Sequence, residues 1–156
     1  MADTDTHLVV THPDASTHFE ISTDPARLDV PTIHAFLRES YWSPGVPESV
    51  VRRAIAGSLA FGLYHGGNRQ IGFARVVTDR ATFAYLADVF VLDEFRGRGL
   101  ASWLVDVILA HPDLQGLRRF LLATRDAHGL YARHGFSPLA APARWMERHD
   151  PDVYRR

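Results

Sequence analysis

Arg96-Gly97-Arg98-Gly99-Leu100-Ala101-Ser102 follows directly on the apolar run Tyr85-Leu86-Ala87-Asp88-Val89-Phe90-Val91-Leu92. Together they read as a strand feeding a glycine-bearing turn that opens a helix, and such a turn aims several free N–H groups at one point. Two arginines add formal positive charge to the partial charge of the helix end, so the expected guest is a phosphate ligand, most simply a pyrophosphate. A Walker loop requires Gly-Lys-Ser/Thr to reach terminal phosphates and magnesium, and the chain contains no lysine. The dinucleotide pattern G-x-G-x-x-G would place its third small residue at Ser102. That pattern belongs to the first strand–helix unit of a doubly wound sheet, whereas this turn comes late, behind what reads as a run of antiparallel strands.

The order Val91-Leu92-Asp93-Glu94-Phe95-Arg96-Gly97-Arg98-Gly99-Leu100-Ala101 resembles the acetyl-coenzyme A signature of the GNAT superfamily of N-acetyltransferases, Arg/Gln-x-x-Gly-x-Gly/Ala, with Arg96, Gly99 and Ala101 in its defined positions. A second resemblance lies downstream, where the strand Phe120-Leu121-Leu122-Ala123-Thr124 precedes Asp126-Ala127-His128-Gly129-Leu130-Tyr131-Ala132-Arg133-His134-Gly135-Phe136. In that family a helix carrying Leu-Tyr and closing on Gly-Phe holds the tyrosine beside the coenzyme sulfur. The resemblance implies a mixed α+β fold: a mostly antiparallel sheet whose parallel fourth and fifth strands splay apart around the coenzyme, flanked by about four helices. It also implies acetyl-CoA as co-substrate, direct transfer to a primary amine of a small molecule, and a homodimer through terminal strands. A peptide or protein acceptor, or a non-catalytic acyl-CoA sensor, are the alternatives.

Acetyl transfer from a thioester to an amine needs a neutral acceptor, donors for the developing oxyanion, a proton for the leaving thiolate, and alignment. Backbone N–H groups near Phe90 and Val91 are the expected oxyanion and pantetheine donors, because a strand parting from its neighbour has unpaired amides; an ordinary buried strand is the alternative. Tyr131 is the expected general acid. A phenol with a pKa of about 10 stays protonated at neutral pH, and a thiolate of pKa roughly 8.5 is a fair acceptor. On pattern alone a packing tyrosine is the commoner reading, and the resemblance reverses it. Many relatives carry asparagine near the start of this helix, where this chain has Asp126, so Thr124 and Asp126 are the pantetheine contacts to examine.

Asp88, an acid in an otherwise apolar strand, is the candidate base for the acceptor amine; equally, it is a structural partner for arginine or backbone donors. Tyr85 is placed to serve the same end through a water. Tyr41 and Trp42, in the Pro/Gly-containing stretch Tyr41-Trp42-Ser43-Pro44-Gly45-Val46-Pro47, suit an acceptor wall or lid, against the alternative of core plugs.

Nine histidines raise a metal hypothesis, yet none of their spacings, His128 and His134 included, matches a zinc site, so no metal is expected. The net charge of -1 gives no overall field toward nucleic acid or an anionic membrane. Arg118-Arg119 and Arg155-Arg156 read as solvated charges. The absence of cysteine removes a thiol nucleophile and a disulfide framework. With no basic leader and no apolar run long enough to span a bilayer, a cytoplasmic protein is expected.

The elements that must position these residues follow from periodicity. Residues 1–17 form a polar lead expected to fray unless something pins it, and 18–156 a single domain. His18–Ser22 reads as a strand; Asp29 with Pro31 starts a helix ending near Ser40; Val50, Val51, Ala54 and Ile55 mark a second helix, stopping at Gly57. Ser58–His65 and Gln70–Thr78 make a hairpin, followed by a strand from Ala81 to Leu92. Leu100, Leu104 and Ile108 define the next helix, and His111-Pro112 ends it. A strand Phe120–Thr124 and a helix Asp126–His134 follow, then a terminal hairpin from Phe136–Leu139 and Ala143–Arg148.

Overall fold

A computed structural model describes residues 6–156. Six strands, β1 (Val9–Thr11), β2 (Phe19–Ser22), β3 (Leu59–His65), β4 (Arg69–Thr78), β5 (Phe83–Val91) and β6 (Arg119–Leu122), lie side by side in chain order. Every neighbouring pair is antiparallel except β5 and β6, which run parallel from Phe83↔Arg119 to Leu86↔Leu122. Four α-helices accompany the sheet among the described residues: α1 (Val30–Leu37), α2 (Glu48–Ala56), α3 (Leu100–Leu109) and α4 (His128–Ala132). The expected parallel strands, fourth and fifth by sequence, are β5 and β6 because of an added first strand.

Alternation along β3 divides the core into two layers. Phe61 and Leu63 join α3 residues Leu104 and Ile108 on one face of the sheet. Ala60, with Phe73 and Phe90, meets Ile33, Leu37 and Val51 of α1 and α2 on the other. Local chemistry sets the element ends. The Asp29 side chain accepts from the Thr32 amide at 3.2 Å and caps α1, with Pro31 in the first turn where its missing N–H costs nothing. In the β4–β5 turn the Asp79 carboxylate accepts from the Thr82 hydroxyl and from the amides of Ala81, Thr82 and Phe83. These bonds, the Thr82 side chain's foremost, hold the Asp79 carboxyl well below the usual carboxylate range.

Within the polar lead, Val9–Thr11 is a strand pinned on β2, closed by Leu8 N–H to Thr23 Oγ1 at 2.8 Å and Thr23 N–H to the Leu8 carbonyl at 3.0 Å. β-Branched residues beside an open sheet edge outweigh the polar composition around them; Met1 to Asp5 lie outside the described residues. One expectation is corrected: among the described residues the terminal hairpin does not form. Pro138 and Pro142 each lack a ladder donor, Pro142–Arg144 is a short 3₁₀ turn, and the segment runs exposed past β6.

Side chains pack closely along β3. A Cβ added at Gly62 would collide with the ring and hydroxyl of Tyr64, two residues on in the same strand and fully buried. Gly62→Ala is therefore expected to destabilise the fold by about 1–3 kcal/mol through overpacking, read as a lower denaturant midpoint at unchanged slope.

Candidate active site

Between β4 and β5 the ladder loses register. Arg75 lies opposite Ala87 and Phe73 opposite Phe90, so β5 spends one residue more than its partner. The extra turn falls at Asp88, whose φ of 56° is left-handed, a conformation that costs a residue with a Cβ. Its carboxylate is held on both oxygens: Arg75 Nε donates to Oδ2 at 2.6 Å, and Trp42 Nε1 donates to Oδ1 at 2.8 Å. The Asp88 and Arg75 side chains are only 11% and 20% exposed, so this ion pair sits in a poorly screened setting.

Just ahead of the break the two parallel strands part. Pairing ends at Leu86↔Leu122 while β5 runs on to Val91, and a cleft of about 600 Å³ opens beside it. Tyr131, Asp88, Tyr85, Tyr41, Trp42, Thr124 and Asp126 all line this cleft. Tyr131 is buried, packs edge-on against Phe136 and makes no hydrogen bond through its hydroxyl among the described residues. Burial, with the nearby Tyr41 second, pushes its phenol above the ordinary value, so it stays protonated across neutral pH.

The other lining residues are tied to specific partners. The Tyr41 hydroxyl accepts from the Arg125 amide at 3.1 Å, and the Arg125 guanidinium sits 3.8 Å over the Tyr41 ring. Tyr41 and Trp42 are 45% and 41% exposed, which makes them wall residues rather than core plugs. Thr124 Oγ1 accepts from the Ala127 amide at 3.0 Å in the turn that precedes α4, whereas Asp126 is exposed beside Arg125. Arg75, Arg125, Ser43 and Tyr154 also line the cleft and were not singled out from sequence. Only Arg75 carried a signal, as a lone charge in the apolar run from Ile71 to Val77.

The predicted anion loop lies beyond the cleft lining, joined to it by β5. Phe95 is buried against Phe19 and His65 and anchors the chain. Arg96 Nε donates to the Val91 carbonyl at 3.1 Å, its NH1 pairs with Asp93 at 3.0 Å, and Arg98 lies over the Phe95 ring at 5.5 Å. Gly97 and Gly99 hold φ of 78° and 73°, values that favour glycine. The first intrahelical bond of α3 runs from the Trp103 amide to the Gly99 carbonyl at 3.0 Å. None of the amides from Gly97 to Ser102 makes a hydrogen bond within the described residues. Upstream, Leu92 N–H bonds Ile71 on β4 at 2.8 Å. Strand alternation therefore turns the Val91 amide the opposite way, toward the gap, and the Phe90 amide toward β4. Phe90 is buried and stacks on Phe36 at 4.0 Å.

A family model described as an acetyltransferase (GNAT) domain matches residues 57–138. A Gibberella zeae protein, which its name FG08082 assigns to the acetyltransferases, is 32% identical over 136 residues, 73% of this chain and 76% of its own. The crystal structure of a GNAT-family protein from Xanthomonas campestris pv. campestris is similar at 54% identity and a TM-score of 0.86, covering 89% of this chain and 98% of that one. A Clostridium acetobutylicum protein whose structure holds acetyl-CoA shares the fold at 13% identity and a TM-score of 0.60, over 84% and 94% of the two chains. A splayed parallel pair, an open helix mouth and these matches define an acyltransferase. The chain belongs to the GNAT acetyltransferase family.

The Asp88 ion pair yields a stability test. Arg75→Met strands a buried carboxylate and is expected to cost about 3 kcal/mol. Chemical denaturation should show the double variant Arg75→Met/Asp88→Asn to be the more stable of the two, because it removes the charge along with its partner.

Proposed function

We propose that this enzyme transfers the acetyl group of acetyl-CoA directly to the primary amine of a small molecule. The observation that carries the reading is the run of unbonded amides from Gly97 to Ser102, a ready receptor for the coenzyme diphosphate with Arg96 and Arg98 beside it. Among proteins of this fold, the Clostridium acetobutylicum structure holds acetyl-CoA. The pantetheine arm then follows β5 into the gap, past Thr124 and Asp126, and the Val91 amide faces the thioester oxygen.

In this reading the amine nitrogen attacks the carbonyl carbon, the carbon–sulfur bond breaks, and the thiolate takes the Tyr131 phenol proton. The excess proton on nitrogen passes to solvent, and the Tyr131 phenolate is reprotonated in turn. Both Asp88 oxygens already accept hydrogen bonds, which supports its structural role: it holds Trp42 and Arg75 in the acceptor wall. The aromatic wall of Tyr41, Trp42 and Tyr85 and the limited volume of the cleft favour a compact acceptor with an apolar body. A homodimer has an available surface, since among the described residues β6 pairs only with β5, and the exposed Leu139 and Met146 lie in the segment that passes it.

Tyr131→Phe is expected to lower kcat by about 10²-fold while coenzyme affinity holds, read by thiol release and by calorimetry. The sign of the pH dependence follows from the raised phenol: Tyr131 is in its donating form through neutral pH, so wild-type kcat should show no loss from this group until the pH passes the ordinary phenol range. An unchanged kcat in the variant would remove Tyr131 as the acid. An amine panel followed by thiol release tests the acceptor class, and turnover of peptide amino termini alone would overturn the small-molecule assignment.

A further inference from the structure

From Pro142 to Arg156 every residue is exposed except Tyr154. The turn that carries it, Asp150 to Arg156, is polar and knitted to itself: the Asp152 amide donates to Asp150 Oδ1 at 3.1 Å, Arg155 pairs with Asp152 at 3.0 Å, and Arg156 pairs with Asp150 at 2.5 Å. Among the described residues, each hydrogen bond and ion pair of this turn stays inside it. Tyr154 alone reaches out. It packs on the layer that includes Ile33, Leu37 and Phe90, and it lines the cleft together with Tyr41, Trp42 and Ser43. Its carbonyl oxygen lies 3.7 Å from the place a Cβ on Gly45 would take, at the end of the cleft bounded by the loop between α1 and α2.

The turn's own bonding does not account for that placement. Exposed ion pairs of this kind contribute little to stability, so one aromatic side chain is what seats the turn on the body. The seat is the rim of the cleft, and the two ends of the cleft differ. Tyr131 and Ala127 pack with the α3 layer, the side proposed for the coenzyme. Tyr154 packs with the α1 and α2 layer, the side proposed for the acceptor. A ring inserted on that side sets how far an acceptor can extend away from the reacting carbon.

We propose that Tyr154 is a specificity-determining residue, the end wall of the acceptor pocket: its ring limits the length of the acceptor's apolar body and selects short primary amines over long ones. This rests on the reading of the cleft as the place where a small amine is acetylated. Selection by length is a property of the ring's volume, because a closely fitted apolar pocket rejects added methylenes by steric misfit. The coenzyme, entering from the other layer, does not meet this wall.

The test measures kcat/KM by thiol release at saturating acetyl-CoA for propylamine, 2-phenylethylamine and 4-phenylbutylamine. Tyr154→Ala is expected to raise the ratio of 4-phenylbutylamine to propylamine about tenfold, the discrimination an apolar pocket exerts on chain length. The change should appear in the KM of the amine, with coenzyme A affinity in calorimetry unchanged. Tyr154→Trp should move the ratio the opposite way, and Tyr154→Phe should leave it as in the wild type. A ratio that stays put in both Tyr154→Ala and Tyr154→Trp, or an equal fall for all three amines, would overturn the end wall while leaving the acetyltransfer reading intact. If Tyr154→Ala does not fold, Tyr154→Trp decides alone. Wild-type protein that takes up coenzyme A yet acetylates none of the three gives a different result: the small-amine reading falls, and the end wall falls with it.

Discussion

The structure turns on the break in β5 at Asp88. A left-handed φ at a residue with a Cβ costs on the order of 1–2 kcal/mol, and it persists here because the carboxylate receives one charge-assisted bond from Arg75 and a second bond from Trp42. An extra residue in one strand bends that strand and raises its local twist. On one side β5 stays attached to β4, through Phe73↔Phe90 and Gly72↔Val91; on the other it leaves β6 after Leu86. The gap is therefore the geometric consequence of a bulge whose strain an ion pair offsets.

The donors that line the route to the gap are fixed in advance by packing. α3 buries Leu100, Leu104, Val105, Val107 and Ile108, so its first turn has no freedom to swing away. Phe95, wedged between Phe19 and His65, fixes the start of the loop, and Arg96 ties the loop back to the strand through the Val91 carbonyl. Amides held open in this way pay their ordering cost during folding and not when an anion arrives, which is the condition for a strong response to developing or bound negative charge.

How much of this is legible in the sequence depends on the range over which each feature is determined. The loop from Arg96 to Ser102, the cap at Asp29 and the strands from Leu59 to Val91 are set by neighbours in the chain, and local pattern finds them. The role of Asp88 is settled by Arg75 on the next strand and by Trp42 in a distant loop, so the sequence leaves base and structural partner side by side. His134 pairs with Ser102 across two helices, which no spacing rule reports. Tyr154 reaches the cleft from the end of the chain with no local mark. The terminal hairpin shows the reverse error: alternation is present from Phe136 onward, but Pro138 and Pro142 deny the ladder its donors, and a tertiary edge is not taken up by pattern alone.

The loop between α1 and α2 spans the gap and assigns the two reactants their sides. Trp42 is fastened to β5 through Asp88, and the adjacent Tyr41 is fastened to the segment after β6 through the Arg125 amide. α1 and α2 pack on one face of the sheet, whereas α3 and Tyr131 pack on the other. In the proposed reaction, a coenzyme held at the mouth of α3 would enter the gap from the α3 face, the face on which Tyr131 packs. An acceptor passing beneath Tyr41 and Trp42 would arrive from the other face. The two reactants would then meet in the gap without competing for one entrance, and an opening reached from both faces of the sheet is what the proposed direct transfer requires.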